Sequence, residues 1–239
     1  GDEAGTAITT GDNNVAVGYQ AGDALTTGSH NLAIGQAALS DEVAGNKSTA
    51  VGREALANQT NASSVDVFNT AVGYSAGVSV TTGGLNTLIG GLSGDALTIG
   101  NSNTSVGYNS LTTEVAGDRN VAVGHGSLAL QTNASTVDVY NTAVGYNSGY
   151  SVTTGTQNTL IGGLAGDAIT TASTNSALGY AALSANTTGA GNTAVGTGSL
   201  EVNTTASQNT AVGRSALGAN TTAADNTAVG YHALRFTTT

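Results

Sequence analysis

Residues 141–149 read NTAVGYNSG, and the first five of them return at 69, 192, 209 and 226. Close variants stand at 120 (NVAVG), at 31 (NLAIG) and at 86 and 158 (NTLIG). A catalytic motif occurs once, whereas a phrase repeated along a whole chain is an architecture. With the Asn as position 0, the register falls on Asn14, Asn31, Ser48, Asn69, Asn86, Asn103, Asn120, Asn141, Asn158, Asn175, Asn192, Asn209 and Asn226. The step is 17 residues, except for two steps of 21 that make long coils of 48–68 and 120–140. Residues 1–13 read as the back half of one further copy, so 1–239 is expected to form a single continuous repeat domain.

The columns of this register carry the reading. Position 4 is Gly in all thirteen copies, and position 3 is Val, Ile or Leu. Position 2 is almost always Ala, position 7 is Ala or Ser, position 8 is Leu or Gly, and positions 12 and 13 are usually Thr-Thr. A 72-residue period lies above the short one: LSDEVAGNK at 39–47 returns as LTTEVAGDR at 111–119, and QTNASSVDVF at 59–68 as QTNASTVDVY at 131–140. Growth by duplicated blocks of four coils suits a spacer.

A unit of 17 residues is too short for helical-pair repeats or propeller blades. Gly beside β-branched residues favours strands and turns. The pattern predicts an all-β fold, a β-solenoid of about thirteen 17-residue coils, with one strand near positions 0–4 and a second near 10–14. The invariant Gly would turn the backbone between them, and Gly or Ala at 14 would close the second corner. Stacked coils bring identical side chains into ladders, the Asn row among them. Alternation puts positions 1 and 3 on one side of the strand and Ala at 2 on the other. Few side chains fit inside one such coil, so Ala at 2 and 7 and Leu at 8 read as a flat apolar surface that another copy would cover.

Composition narrows the function classes. Gly supplies 35 residues, Pro, Cys, Met and Trp none, and charged residues only 8%. Abundant, periodic Thr and Val argue against disorder. Without Cys there are no disulfides or thiolate metal sites, which fits either redox compartment. The net charge of −10, with five unclustered Lys and Arg, argues against nucleic acid as a partner. No apolar run is long enough for a membrane span, so no membrane insertion is expected. There is no initiating Met and no signal-like start, which reads as a processed or excised segment.

The NTAVGYxxL units, with N-T-T-G between them as in SANTTGAGNTAVG (184–196), resemble two related groups. One is the YadA-like head region of trimeric autotransporter adhesins; the other is the repeat region of phage tail-fibre and bacterial surface-fibre proteins. The resemblance spans essentially the whole chain, and the 17-residue spacing fits the fibre type better than the adhesin head. It implies a left-handed parallel β-roll with three chains around one axis, an extracellular homotrimer serving as fibre shaft or adhesive head on a bacterial surface or a phage virion.

No enzymatic constellation is expected, because His30, His125 and His232 occupy different repeat positions and never pair with a recurring carboxylate. No catalytic residue, cofactor or metal is therefore assigned. Asp23, Asp95 and Asp167 recur at position 9, but one Asp in four coils cannot supply the oxygens of a calcium site. Two binding candidates remain, toward a host-surface receptor or glycan. One is the position-5 row of Tyr19, Tyr74, Tyr108, Tyr146, Tyr180 and Tyr231, a column that also accepts Arg, His and Gln and is therefore expected to be exposed. The other is the pair of long-coil loops, with Asp66, Phe68, Asp138 and Tyr140. An ice-binding β-solenoid with Thr rows is the alternative; against it, Thr at 12 and 13 should face opposite ways and the row breaks at Val43–Ala44 and Val115–Ala116.

Overall fold

The computed structural model describes residues 1–236. The chain is an all-β parallel β-solenoid of about thirteen coils, with no helix among the described residues. It divides into two compact units, Gly1–Arg119 with Ala134–Val137, and Asn120–Asn133 with Asp138 onward. In the first unit, strands Val15–Val17, Leu32–Ile34, Thr49–Val51, Thr70–Val72, Thr87–Ile89 and Thr104–Val106 pair in parallel, each with the next. In the second, Val121–Val123, Thr142–Val144, Thr159–Ile161, Ser176–Leu178, Thr193–Val195, Thr210–Val212 and Thr227–Val229 do the same. Register follows the repeat position for position, so Thr70, Ala71 and Val72 oppose Thr87, Leu88 and Ile89. The 21-residue coils keep that register, as Thr49 opposite Thr70 shows.

Position 4 is Gly for two reasons at once. Its φ lies between 122° and 144°, a region closed to side chains, and a Cβ on Gly73 would stand 2.5 Å from the carbonyl oxygen of Gly90 in the next coil. The strand therefore ends there in every coil, and a run of tight turns follows. Positions 6 and 8 and the last residue before each position 0 are left-handed throughout, in non-glycine residues too: Ser75 has φ 50°, Leu56 φ 49° and Phe68 φ 54°. Stacking sustains this strained backbone, since the turn amides bond to neighbouring coils, as Leu56 N does to Ala76 O at 3.0 Å.

The second strand expected near positions 10–14 does not form as a repeating column; the further strands among the described residues are Gly117–Asp118 and Val137–Asp138, two residues each. A turn closed by Val80 N to Gly77 O (3.0 Å) uses up that segment, and bends follow. Coils meet there mainly at one carbonyl, Thr98 O, which accepts from Thr81 N at 2.9 Å, from the Thr81 hydroxyl at 3.2 Å and from Gly83 N at 3.3 Å. The position-12 Thr row is thereby committed to holding coils together.

The core also differs from expectation. Ala at 2 and 7 and Leu at 8 do not form an outer surface: Ala71, Ala76 and Leu56, for instance, are wholly buried inside the coil. The coil is so narrow that opposite walls touch, and only small side chains plus one large one fit between them. Position 11 is the column that completes the core. Where position 8 is Gly (22, 77, 94, 149, 166), position 11 is Leu25, Val80, Leu97, Val152 or Ile169. Where position 8 is Leu (39, 56, 111, 128, 183, 200, 217), position 11 is Glu42, Gln59, Glu114, Gln131, Asn186, Asn203 or Asn220. Each coil thus holds one large apolar residue at 8 or at 11. The two NTLIG coils obey the same volume rule: Leu88 fills the space over Gly77 and Gly94, whose added Cβ atoms would lie 2.5 and 2.8 Å from its methyls.

Most buried polar groups are matched, with Asn109, Asn147, Asp167 and Asn220 each leaving Oδ1 unpaired among the described residues. The position-0 Asn typically closes its own coil, as ten of them do at the carbonyl of position 14, and grips its neighbour. Asn86 donates Nδ2 to Gly100 O (2.9 Å), while its Oδ1 accepts the backbone N–H of Asn103 (2.9 Å). Glu42, fully buried without a cation beside it, accepts at Oε1 from the amides of Val43, Ala44, Gly45 and Asn61, and at Oε2 from the side chains of Gln59 and Asn61. Glu114 repeats the local nest with Val115, Ala116 and Gly117. This is why the Thr-Thr row breaks at those two coils: EVAG is a turn folded around its own carboxylate.

Candidate functional site

Three surfaces emerge from this lattice: the outer strand face, the position-5 row and the long-coil loop. On the strand face, Ala at 2 points inward and positions 1 and 3 point out, so each unit presents a column of Thr (or Val, Leu, Ser) beside a column of Val, Ile or Leu. Val72, Ile89 and Leu178 are 37%, 38% and 50% exposed, high for aliphatic residues on a regular sheet. Although the chain has 20 charged residues, five basic and 15 acidic, none stands at position 1 or 3 in any coil. Isolated exposed aliphatics mean little, but an uncharged flat column of them is a surface ready to associate. Sequence reasoning had the alternation right and the inside and outside reversed in importance.

The position-5 Tyr row is exposed, from 47% at Tyr19 to 67% at Tyr231. Its neighbours stack along the coil axis: Arg53 lies 5.6 Å from the Tyr74 ring, Arg214 6.0 Å from Tyr231, and His125 5.4 Å from Tyr146 with planes 25° apart. What Tyr, Arg and His share in this column is a flat face that can lie on the next one. Where the column has Gly, the following ring leans over it, with Tyr108 packed on Gly91 and Tyr180 on Gly163. These rings therefore cover the lattice as well as facing solvent.

In the first long coil, Asp66 forms an ion pair with Lys47 at 2.6 Å, which holds its carboxyl below the usual aspartate range. Phe68, 48% exposed, carries the Lys47 ammonium 5.0 Å above its ring. In the second, the Tyr140 hydroxyl reaches Asp138 at 3.2 Å. Beside the first loop, an open groove of about 360 Å³ is lined by Asn61, Val65, Asp66, Val67, Thr82, Gly84, Leu85 and Asn101. Sequence reasoning found only Asp66 of that set, because the groove draws on three successive coils.

The remaining sequence candidates scatter. His30 and His125 are exposed on separate coils. Asp167 is half-buried and unpaired at Oδ1, and burial pushes its carboxyl up. Of the Asn-x-Ser/Thr triplets in the sequence, those at Asn61, Asn103, Asn186, Asn203 and Asn220 are buried in the coil, which leaves Asn46, Asn58 and Asn133 to be reached. Comparison with protein families, with characterised proteins and with solved structures returns no match.

Proposed function

We propose that the chain is a non-enzymatic structural fibre or adhesin segment: a left-handed solenoid that assembles as an extracellular homotrimer for surface attachment. The observation that carries this reading is the uncharged Thr/Val strand face. It replaces the Ala and Leu rows as the surface between chains, because those rows fill each coil from within. Burying an exposed Val is worth about 1.5–3 kcal/mol at most, and a column of them adds along the coils. Ladders of parallel backbone bonds resist extension, and a trimer shows each surface feature three times, raising avidity without new chemistry. The reading is tested by light scattering: it expects three times the 23.1 kDa chain mass. Val195→Lys with Val212→Lys should lower that mass to one chain while β structure persists, and a wild-type monomer would refute the trimer.

The same face supports the second reading. In the second unit, position 1 opens with Val121 and then runs Thr142, Thr159, Ser176, Thr193, Thr210 and Thr227, a hydroxyl column unbroken over those six paired strands, which the Thr rows at 12 and 13 do not provide. A flat hydroxyl and methyl lattice exposed on a monomer is the surface an ice-binding protein needs. Both uses cannot hold at once, since a trimer built on this face hides it. Thermal hysteresis from a monomeric sample would decide for ice, and its absence from that sample would remove this alternative.

A further inference from the structure

The groove beside the first long coil is the feature that neither the lattice nor its assembly uses, and we infer that it is a subsite for a neutral saccharide. The inference rests on the surface-attachment reading and gives it a ligand class. The groove's volume, about 360 Å³, lies at the lower end of small-ligand sites, which run roughly from 300 to 1,000 Å³. Its walls alternate apolar and polar: Val65 and Leu85, 42% and 59% exposed, flank Asn61, Asp66, Thr82 and Asn101. That mixture suits a ring with a C–H face and hydroxyl edges.

Charge and hydrogen bonding narrow the ligand further. The Asp66 carboxylate is balanced by Lys47 at 2.6 Å, so the site offers acceptors without a net charge to attract a cation or an anion. Asn61 is held by its Nδ2 on Glu42, at 2.8 Å, and its Oδ1 accepts no bond within the described residues; the Thr82 hydroxyl is likewise unused. An extended peptide finds few main-chain partners here. Val65 O accepts from Asn46 N and Val67 O from Leu85 N, while Gly84 donates to Asn101 Oδ1 and accepts from Ser102. The polar groups left over are side-chain acceptors and a hydroxyl, which sugar hydroxyls satisfy.

The chain supplies its own variant of the lining. Seventy-two residues on, the sequence repeats Asn133, Val137, Asp138, Val139 and Thr154, but carries Thr156, Gln157 and Ser173 at the register of Gly84, Leu85 and Asn101. Gly84 has no left-handed backbone, and a Cβ there meets only Val67 O at 3.1 Å, so a side chain can be placed on the groove floor. The test is saturation-transfer difference NMR on the full chain with glucose, galactose, N-acetylglucosamine and fucose, each at millimolar concentration, alongside a neutral tripeptide. At least one sugar should give a transfer signal, and that signal should fall at least about tenfold in G84T/L85Q, equivalent to ~1.4 kcal/mol, with the melting temperature unchanged. No transfer from any of the four sugars, transfer that persists in the double variant, or transfer from the tripeptide alone would overturn the subsite. Solution mass measured on the same sample separates the two readings. A trimer that binds no sugar removes the subsite only, and a monomer that binds sugar removes the fibre assembly only.

Discussion

Replacing Asn86 with Ala removes one clasp from the position-0 ladder while leaving the strand sequence untouched. Two buried backbone groups lose their partners: Gly100 O, which accepts Asn86 Nδ2 at 2.9 Å, and Asn103 N, which donates to Asn86 Oδ1 at 2.9 Å. A buried polar group left unsatisfied costs about 1–3 kcal/mol, so the pair predicts a loss of about 2–6 kcal/mol. Water does not relieve this, because Asn86 and Asn103 are both wholly buried and the coil interior is packed. In a repeat structure the loss is local and then spreads through nearest-neighbour coupling. Denaturant melts followed by circular dichroism measure its size, and amide exchange should show protection falling first at Asn103 and the turn at Gly100. Thr27→Ala, on the exposed position-13 row, is the control and should stay within about 0.5 kcal/mol. If Asn86→Ala behaves like Thr27→Ala, the Asn ladder does not close the coils.

Gly73→Ala should cost more than about 3 kcal/mol, because it adds left-handed strain to a Cβ placed 2.5 Å from Gly90 O; Gly84→Ala, with no left-handed strain and a milder 3.1 Å approach to Val67 O, should cost far less in the same melt. Glu42→Gln puts an amide N–H against two or four donors whichever way it turns, and should destabilise the first unit by at least ~2 kcal/mol in denaturant unfolding. Two aspartates should show opposite pH behaviour. Asp66, held down by Lys47, contributes stability that is present above its unfolded pKa and lost as pH falls through the lower folded value; Lys47→Met should return its NMR titration to the ordinary range. Asp167, pushed up by burial, weakens the fold as pH rises from its unfolded to its folded pKa, so Asp167→Asn should raise the melting temperature at neutral pH.

Much of the fold was legible because a repeat announces its register. The strand, the Gly that ends it and the Asn ladder each follow from one invariant column. The second strand was not legible, since Thr-Thr suits an extended chain and a bend alike, and the turn at 8–11 decides between them. Sidedness failed for a related reason: alternation says that Ala71 and Val72 face opposite ways, but only coil width says that the smaller one goes inside. The exchange between positions 8 and 11 was present in the sequence, but it lies in pairs of residues within a coil and not in a single column. At the candidate sites, exposure of the Tyr row could be read from its tolerance of Arg53 and His125, whereas the groove could not, because Asn61, Thr82 and Asn101 meet only after three coils are stacked.

The exchange between positions 8 and 11 also bears on how the chain works. A coil whose large residue sits at 8 or 11, with matched amides and carboxylates filling the remainder, buries its own core and needs no second chain to complete it. Under the proposed fibre reading, association would then rest on the surface alone, and the surface is partitioned by column. Positions 1 and 3 are flat and free of charge, position 5 stacks planar groups along the axis, and the last position of each coil carries the loop-side residues Lys47, Phe68 and Leu85. On that reading, substitutions at 1 and 3 should change the proposed assembly without unfolding a coil, and substitutions at the loop-side residues should change the proposed recognition without touching assembly. Duplicating four coils copies both kinds of column together and preserves the interior rule, and it leaves the loop-side residues free to diverge, as Leu85 and Gln157 have done.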